Sequence, residues 1–150
     1  MIALPDINVL LALAWSNHPH HDAAHDWFGR EANAGWATCL FTQSGFLRLS
    51  MNPQIVGIAI DCRTARSLLD ELVAHPGHRF HESAPGLVGP SFDELGQRIV
   101  GYRQISDATL LHLARLGGMK LVSFDEPITS ICPWSENLLI LPVPIRKPSS

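Results

Sequence analysis

The stretch Met1-Ile-Ala-Leu-Pro-Asp-Ile-Asn-Val-Leu-Leu-Ala-Leu13 decides the fold of this chain. Residues 2–5 are a short apolar run that predicts a buried β-strand, and a helical pattern over 7–15 starts directly after Asp6. A helix this apolar is buried within its own domain or against another chain. Side chains at the carboxyl ends of strands in an open α/β sheet face the crevice where ligands bind. The stretch therefore predicts an α/β fold with Asp6 at a site position.

The rest of the chain alternates between strand and helix patterns. Further strands are predicted at 36–40, 119–124 and 138–143, with weaker alternation at 78–82, and further helices at 20–34, 42–51, 61–74, 91–100 and 107–116. Thr42 and Ser106 are expected to cap the helices that they begin or precede. The alternation predicts a central, mostly parallel sheet with helices on both faces, which is a three-layer α/β/α domain. The continuous apolar first, fourth and fifth strands predict burial on both sides.

Length and composition indicate one folded domain. A chain of 150 residues is long enough to bury roughly two-thirds of its unfolded surface, and a 46% apolar composition excludes disorder for most of it. We expect a single domain over 1–143, followed by a frayed, Pro/Ser-rich tail at 144–150. The net charge of −3 offers no strongly basic surface, so nucleic-acid binding would rest on a few local cations.

Cysteine usage and the apolar runs bear on the compartment. Cys39, Cys62 and Cys132 are an odd number without CxxC spacing, which predicts buried free thiols in a reducing environment. The first residues lack a basic segment and a small-residue cleavage site. No apolar run reaches the roughly 18 residues that a membrane helix needs. We therefore expect a cytoplasmic protein that does not enter a membrane.

Acidic side chains mark one edge of the predicted sheet. Asp6 follows the first strand, Asp125 follows the strand at 119–124, and Asp107 lies in the first turn of the helix before that strand. Strand carboxyl ends and helix amino ends share an edge, so the three carboxylates converge there and repel one another unless a cation lies between them. Carboxylate and water oxygens suit Mg²⁺ or Mn²⁺. Such a metal activates water for cleavage of a phosphodiester bond.

Each acid also has an ordinary structural explanation. Asp6 is a suitable N-cap for the helix after it, and Asp107 is a first-turn acid that the helix dipole favours. Asp125, followed by Glu and Pro, fits a simple turn. For any one of them alone the structural explanation is the better one, and it is the shared edge that favours the metal site.

Other catalytic motifs are absent or incomplete. His21 and His25 have the i, i+4 spacing of zinc ligands, with His18 and His20 nearby, but no cysteine or HExxH glutamate accompanies them, so a solvated helix start is the better interpretation. The sequence contains no GxxxxGK, GxGxxG or GxSxG motif. A phosphatase or receiver-type domain is disfavoured because Asn8 stands where the DxD motif needs its second acid.

Five stretches together resemble one family. In order along the chain they are LPDINVLLAL, HPHHDAAHDWF, TQSGFLRL, SDATLLHLA and KLVSFD, and the resemblance extends from Ile2 to about Val143. They are similar to PIN-domain ribonucleases, specifically the VapC toxins of bacterial type II toxin–antitoxin pairs.

The resemblance implies a Rossmann-like, PIN-like fold and a cytoplasmic endoribonuclease that depends on Mg²⁺, with Mn²⁺ as a substitute. It implies that Asp6, Asp107 and Asp125 bind the metal and act in catalysis, and that Asn8 and Ser123 help to orient them or a water. Its partners would be an RNA substrate, a cognate antitoxin protein and a second copy of the chain.

The sequence departs from this family at one position. Many members carry a glutamate near the start of the third helix, where this chain has Gln43, an amide that contributes no charge to a metal. The departure keeps open an alternative function, a catalytically weakened PIN-like module that binds RNA or protein. Candidate cations for RNA binding are Arg48 and Arg103, with Arg98 and Lys120 as further candidates and Tyr102 for stacking on a base.

Overall fold

The sheet of this computed structural model, which describes residues 1–82 and 86–143, has five strands. They are β1 (Ile2–Pro5), β2 (Trp36–Cys39), β3 (His78–His81), β4 (Met119–Ser123) and β5 (Leu138–Ile140). The spatial order is β3-β2-β1-β4-β5, and every described pairing is parallel. The predicted parallel sheet is therefore confirmed. The central strand is β1, which the deciding stretch of sequence forms.

Helices cover both faces of this sheet. The α-helices of the described residues are α1 (Ile7–Ala14), α2 (His21–Glu31), α3 (Leu40–Ser50), α4 (Pro53–Val56), α5 (Cys62–Val73), α6 (Asp93–Arg98) and α7 (Ile105–Leu116). On one face, α6 and α7 pack against Leu4 and Leu121 of the two central strands. On the other face, α1, α2, α3 and α5 surround Trp36 and Val122. The fold is the expected three-layer α/β/α arrangement.

The last strand differs from its prediction. It was expected over 138–143 with both sides buried, but β5 ends at Ile140 and lies at the edge of the sheet, where Leu139 is 37% exposed. An edge strand pairs on one side only, so an apolar run there need not be enclosed. The predicted tail at 144–150 and residues 83–85 of the loop before α6 lie outside the described residues.

Two predicted helix starts are wrong. Thr42 does not cap α3, because the helix begins earlier at Leu40 and Cys39 occupies the capping position. The Thr42 hydroxyl instead accepts a hydrogen bond of 3.0 Å from the backbone N–H of Cys39, the reciprocal contact of a capping box. Ser106 lies inside α7, which a 3₁₀ turn at Tyr102–Gln104 leads into. In both cases the chain enters the helix before its first good capping residue.

Smaller differences concern short helical segments. The helix predicted at 91–100 is a 3₁₀ turn at Pro90–Phe92 followed by α6, and the helix predicted at 20–34 ends in a 3₁₀ turn at Ala32–Ala34. The one-turn helix α4, capped by the side chain of Asn52, was not predicted. Its start at Pro53 follows the preference of proline for the first helical position.

The three cysteines differ in their exposure to solvent. All three cysteines are free, but only Cys39 is buried, whereas Cys132 is half-buried and Cys62 is exposed at the start of α5. The predicted burial of every cysteine is therefore wrong for Cys62.

Within residues 1–82 and 86–143, no helix is long and apolar enough to cross a membrane.

Candidate metal centre

Asp6 links the end of β1 to the start of α1. Its backbone N–H donates a 2.8 Å hydrogen bond to the carbonyl of Val122, which extends the pairing of β1 with β4 beyond Pro5. Its side chain is the N-cap of α1, with Oδ1 accepting 2.7 Å from the N–H of Ile7. The structural explanation for Asp6 is thus correct. Capping uses only Oδ1, however, and the second oxygen makes a different contact.

Ser123, the last residue of β4, holds that second oxygen. Its hydroxyl donates a 2.7 Å hydrogen bond to Oδ2 of Asp6 and accepts two others, 3.2 Å from Nδ2 of Asn8 and 3.0 Å from the backbone N–H of Asp125. A serine hydroxyl has one proton to donate and two lone pairs, so all of its hydrogen-bonding capacity is used. Hydrogen bonds through Ser123 therefore join Asp6, Asn8 and Asp125 into one unit at the carboxyl edge of the sheet.

Asp107 approaches this unit from α7. It is half-buried in the first turn of the helix. Burial is the main cause that raises the pKa of its carboxyl to about 6, and the nearby charges of Asp6 and Asp125 are the lesser causes. The charges of Asp6 and Asp125 are therefore close enough to disfavour ionisation of Asp107.

The pKa of the Asp6 carboxyl is also raised. Burial is the main cause of its raised pKa, and Asp125 adds to it, whereas the hydrogen bonds from Ser123 and Ile7 act in the opposite direction. Asp6 is only 7% exposed. A carboxylate with so little water around it gains most from a cation or from donated hydrogen bonds, and Ser123 and Ile7 supply only the second of these.

The donor set fits a hard divalent cation. The converging groups are carboxylates, whose oxygens are the ligands that Mg²⁺ and Mn²⁺ prefer. Among the described residues, no group of three or more His, Cys, Asp or Glu side chains is positioned to hold a metal ion. Mg²⁺ usually keeps several of its waters and is held by one or two carboxylates, so a complete protein cage is not required.

Gln43 lies elsewhere in the hydrogen-bond network. Its amide donates 2.9 Å to the hydroxyl of Thr38 on β2, and that hydroxyl is 2.7 Å from Nε2 of His78. The amide is thus tied to the sheet beneath α3, and its described hydrogen bond is not to any of the three acids. A supporting role for Gln43 at the metal centre remains a prediction.

The candidate cations for RNA binding lie in different places. Arg48 lines a groove of about 700 Å³. The wall of this groove also includes Ile7, which follows Asp6, and Thr109, which is two positions after Asp107. Arg103 is exposed in the turn before α7, where its Nε donates 3.3 Å to the hydroxyl of Tyr102. Lys120 does not belong with them, because it lies near the amino end of β4, at the opposite edge of the sheet.

One residue that brings the elements together was not predicted. Gly45 of α3 faces Ile7, the first residue of α1, so closely that an added Cβ would come within 2.8 Å of Cγ1 of Ile7 and would also overlap Cδ1. The absence of a side chain at Gly45 thus lets α3 pack against the residue that follows Asp6. The sequence carries no local signal for this, because the partner is 38 positions away in the chain.

Comparisons with known proteins agree with this architecture. The chain matches no protein-family model. It is 45% identical over 130 residues to Ribonuclease VapC38 of Mycobacterium tuberculosis, covering 87% of this chain and 89% of that protein. It is 36% identical over 129 residues to Ribonuclease VapC39 of the same species, covering 85% and 91%.

A solved structure shows the same fold. In the crystal structure of VapBC2 from Rickettsia felis bound to a DNA fragment from their promoter, one chain superposes with a TM-score of 0.60 at 14% identity. The match covers 93% of this chain and 97% of that one. At this identity the likeness concerns the fold, whereas the relatives from Mycobacterium tuberculosis are similar enough in sequence, over nearly their whole length, to establish descent. The chain therefore belongs to the VapC ribonuclease family.

Proposed function

We propose that the chain is a Mg²⁺-dependent endoribonuclease and the toxin of a type II toxin–antitoxin pair. The observation that supports the proposal is that Asp6 and Asp125 share Ser123 as a hydrogen-bond partner and that both of their charges raise the pKa of Asp107. Its relatives in Mycobacterium tuberculosis are named ribonucleases. A carboxylate centre and a family of ribonucleases together support hydrolysis of an RNA phosphodiester bond.

The chain's own residues have distinct tasks in this proposal. When bound, Mg²⁺, or Mn²⁺ in its place, supplies an activated water and stabilises the charge that develops on the phosphate. Asp6, Asp107 and Asp125 would hold it, which makes them the proposed catalytic residues. Ser123 orients Asp6 and Asn8 orients Ser123, so neither needs to touch the substrate. Fixed supporting residues of this kind keep ligands in position through the reaction.

RNA would cross the acids between the two arginines. Arg48 lies in the groove beside Ile7, and Arg103 with Tyr102 forms an exposed pair at the start of α7, where the guanidinium carbon is 5.7 Å from the centre of the ring. Tyr102 is 79% exposed, so its ring is accessible to an unpaired base. Arginine can neutralise phosphates, and aromatic rings stack on bases of any sequence. A single-stranded RNA segment is the substrate that this arrangement suits.

The proposal extends to partners and compartment. The solved neighbour is one of a pair, VapBC2, and by analogy we propose that a cognate antitoxin protein binds this chain and that the chain forms a homodimer. We also propose that it acts in the cytoplasm, where RNA and Mg²⁺ are both present. The alternative function, a PIN-like module that binds RNA or protein without cleaving it, would need the same fold but no working metal centre.

The test uses the purified chain and a pool of structured cellular RNAs, so that no target need be guessed. We expect discrete cleavage products with Mg²⁺ or Mn²⁺, none with a chelator, and none with Asp107→Asn. Asp93→Asn is the matched control, since Asp93 is an exposed acid in the first turn of another helix, α6. Cleavage that continues in the chelator or in Asp107→Asn would contradict the proposal. Binding of RNA without products in any metal would establish the alternative.

Expression in bacteria tests the toxin role separately. We expect growth arrest when the chain is produced without its antitoxin, and normal growth when Asp6→Asn or Asp107→Asn is produced at the same level. Arrest by both variants would show that toxicity does not arise from the carboxylate centre.

A further inference from the structure

Two histidines of α2 fasten the end of α1. Nδ1 of His21 is 2.7 Å from the carbonyl oxygen of Ala12, and Nε2 of His25 is 2.9 Å from that of Leu13. Both carbonyls lie in the last turn of α1, where no later N–H of the helix follows to bind them. Ala12 and Leu13, which carry these carbonyls, are buried. A carbonyl oxygen can only accept a hydrogen bond. His21 must therefore carry its proton on Nδ1, and His25 must carry its proton on Nε2.

The same contacts leave one lone pair on each neutral ring. These lone pairs are on Nε2 of His21 and Nδ1 of His25, and within residues 1–82 and 86–143 no hydrogen bond engages either nitrogen. The ring centres are 4.3 Å apart, with the residues at i and i+4 of one helix. His25 is exposed and His21 is half-buried, so the pair is open to solvent. Both rings are therefore accessible to an ion from solvent.

We propose that His21 and His25 form an open two-histidine site for a transition-metal ion such as Zn²⁺, Ni²⁺ or Cu²⁺. Histidines that bind metals almost always donate their other ring N–H to a carbonyl or carboxylate, which fixes the tautomer and the ring orientation, and this pair has that arrangement before any metal arrives. Imidazole nitrogen favours these ions over Mg²⁺. The site is thus chemically separate from the carboxylate centre and does not depend on the proposed ribonuclease activity.

The neighbouring histidines are occupied in other ways. Nδ1 of His18 accepts a 3.0 Å hydrogen bond from the backbone N–H of His20, which leaves the proton of a neutral His18 on Nε2. The ring of His20 packs against Phe124, with 4.8 Å between the ring centres. No group of three possible protein ligands is found among the described residues. Water would therefore complete the coordination of an ion held by His21 and His25.

Copper spectroscopy on the whole chain tests the site directly. In the Asp107→Asn background, which weakens the carboxylate centre, we expect one equivalent of Cu²⁺ to show electron paramagnetic resonance couplings to imidazole nitrogen. His25→Gln should remove these couplings and weaken Ni²⁺ binding, measured by calorimetry, by about tenfold or more. Glutamine retains an N–H that can reach the carbonyl of Leu13, so the end of α1 keeps its donor. His18→Gln is the matched control and should bind as the parent does.

The opposite results overturn the proposal. They are Cu²⁺ bound through oxygen ligands alone, unchanged binding in His25→Gln, or an equal loss in His18→Gln. A second measurement needs no variant: modification of histidines by diethyl pyrocarbonate, mapped by mass spectrometry with and without Zn²⁺. Protection of His21 and His25, but not of His18, supports the site. Equal modification of His21 and His25 in both conditions contradicts it.

Discussion

The hydroxyl of Ser123 donates a 2.7 Å hydrogen bond to Oδ2 of Asp6, joining residues 117 positions apart in the sequence. Since the other oxygen of Asp6 caps α1, this one carboxylate connects the carboxyl ends of β1 and β4 to the start of the first helix. Its position is therefore set by three elements at once. The hydrogen bond from Ser123 is the contact that can be removed without removing an acid.

Ser123→Ala tests this orientation. The change leaves Oδ2 of the buried Asp6 without its donor and removes the shared acceptor of Asn8 and the N–H of Asp125. We expect a loss of about 1–3 kcal/mol in the free energy of unfolding, because buried polar groups lose their partner. Divalent-metal affinity or cleavage rate should fall by about 10- to 100-fold, as when other supporting residues of metal sites are removed.

The control for that variant is Ser130→Ala. The hydroxyl of Ser130 is exposed and donates only to the local carbonyl of Pro127, at 2.8 Å. Urea unfolding and Mn²⁺ titration of the two variants give the comparison. Equal metal affinity in Ser123→Ala and in the native chain would show that Ser123 does not position Asp6 for a metal.

The raised pKa of Asp107 predicts that the stability of the metal-free chain depends on pH. The pKa of its carboxyl is raised from the ordinary 3.8 to about 6 in the folded protein, so the folded state holds this proton more tightly than the unfolded state. Its contribution to stability is complete below pH 3.8 and is lost as the pH rises through about 6. With a chelator present, Asp107→Asn should therefore be more stable than the native chain near neutral pH, by about 1 kcal/mol after allowing for solvent screening.

Urea unfolding of both proteins at acidic and neutral pH measures this difference. The advantage of Asp107→Asn should shrink toward pH 4, where the native carboxyl regains its proton. Asp93→Asn, at an exposed first-turn acid of α6, should show no comparable gain. A native chain that is more stable than Asp107→Asn near neutral pH without metal would contradict the raised pKa of Asp107.

Gly45→Ala tests the close approach of α3 to α1. The added methyl would overlap the side chain of Ile7, so we expect a loss of about 1–3 kcal/mol in stability, as for other overpacked sites. Gly29→Ala is the matched control, because Gly29 lies in α2 with nothing within 4 Å of an added Cβ. Alanine should stabilise α2 there by roughly 0.5–1 kcal/mol. An increase in stability on Gly45→Ala would contradict the close packing of Gly45 against Ile7.

Gln43→Ala tests whether Gln43 supports the metal centre, as its place in the sequence predicts, or only the sheet, as its hydrogen bond to Thr38 indicates. The amide is bound to Thr38, so its removal should change Mn²⁺ affinity by less than about threefold, well below the effect expected of a supporting residue. Calorimetric titration of Mn²⁺ into both proteins measures the change. A larger loss would mean that Gln43 moves from Thr38 to the acids when the metal binds.

Arg48→Ala tests the proposed path of the RNA. Loss of a cation that neutralises a phosphate should weaken RNA binding for all sequences and reduce its dependence on salt. Lys120→Ala removes the same charge at the opposite edge of the sheet and should leave binding close to that of the native chain. Binding measured by fluorescence anisotropy at several salt concentrations distinguishes them, and equal losses would indicate a diffuse electrostatic attraction without a defined path.

The sequence predicted the features that local patterns determine. Asp6 and Asp125 were placed at one edge because each ends an apolar strand, and Asp107 because its helix precedes β4. Positions that depend on distant partners were not predictable. Thr38, which binds Gln43, lies on β2, and Gly45 is selected by Ile7 in another helix. The i, i+4 spacing of His21 and His25 was visible in the sequence, but the carbonyls that hold their rings belong to the preceding helix and were not predictable.

Melting of the native chain and of Asp107→Asn, each with and without Mn²⁺, tests the metal centre most directly. A ligand at a hundred times its dissociation constant adds about 2.7 kcal/mol to the free energy of unfolding. We predict a clear rise in the melting temperature of the native chain, a much smaller rise in Asp107→Asn, and an unchanged response in Asp93→Asn. No rise in the native chain, or an equal rise in Asp107→Asn, would contradict a metal centre built from these acids.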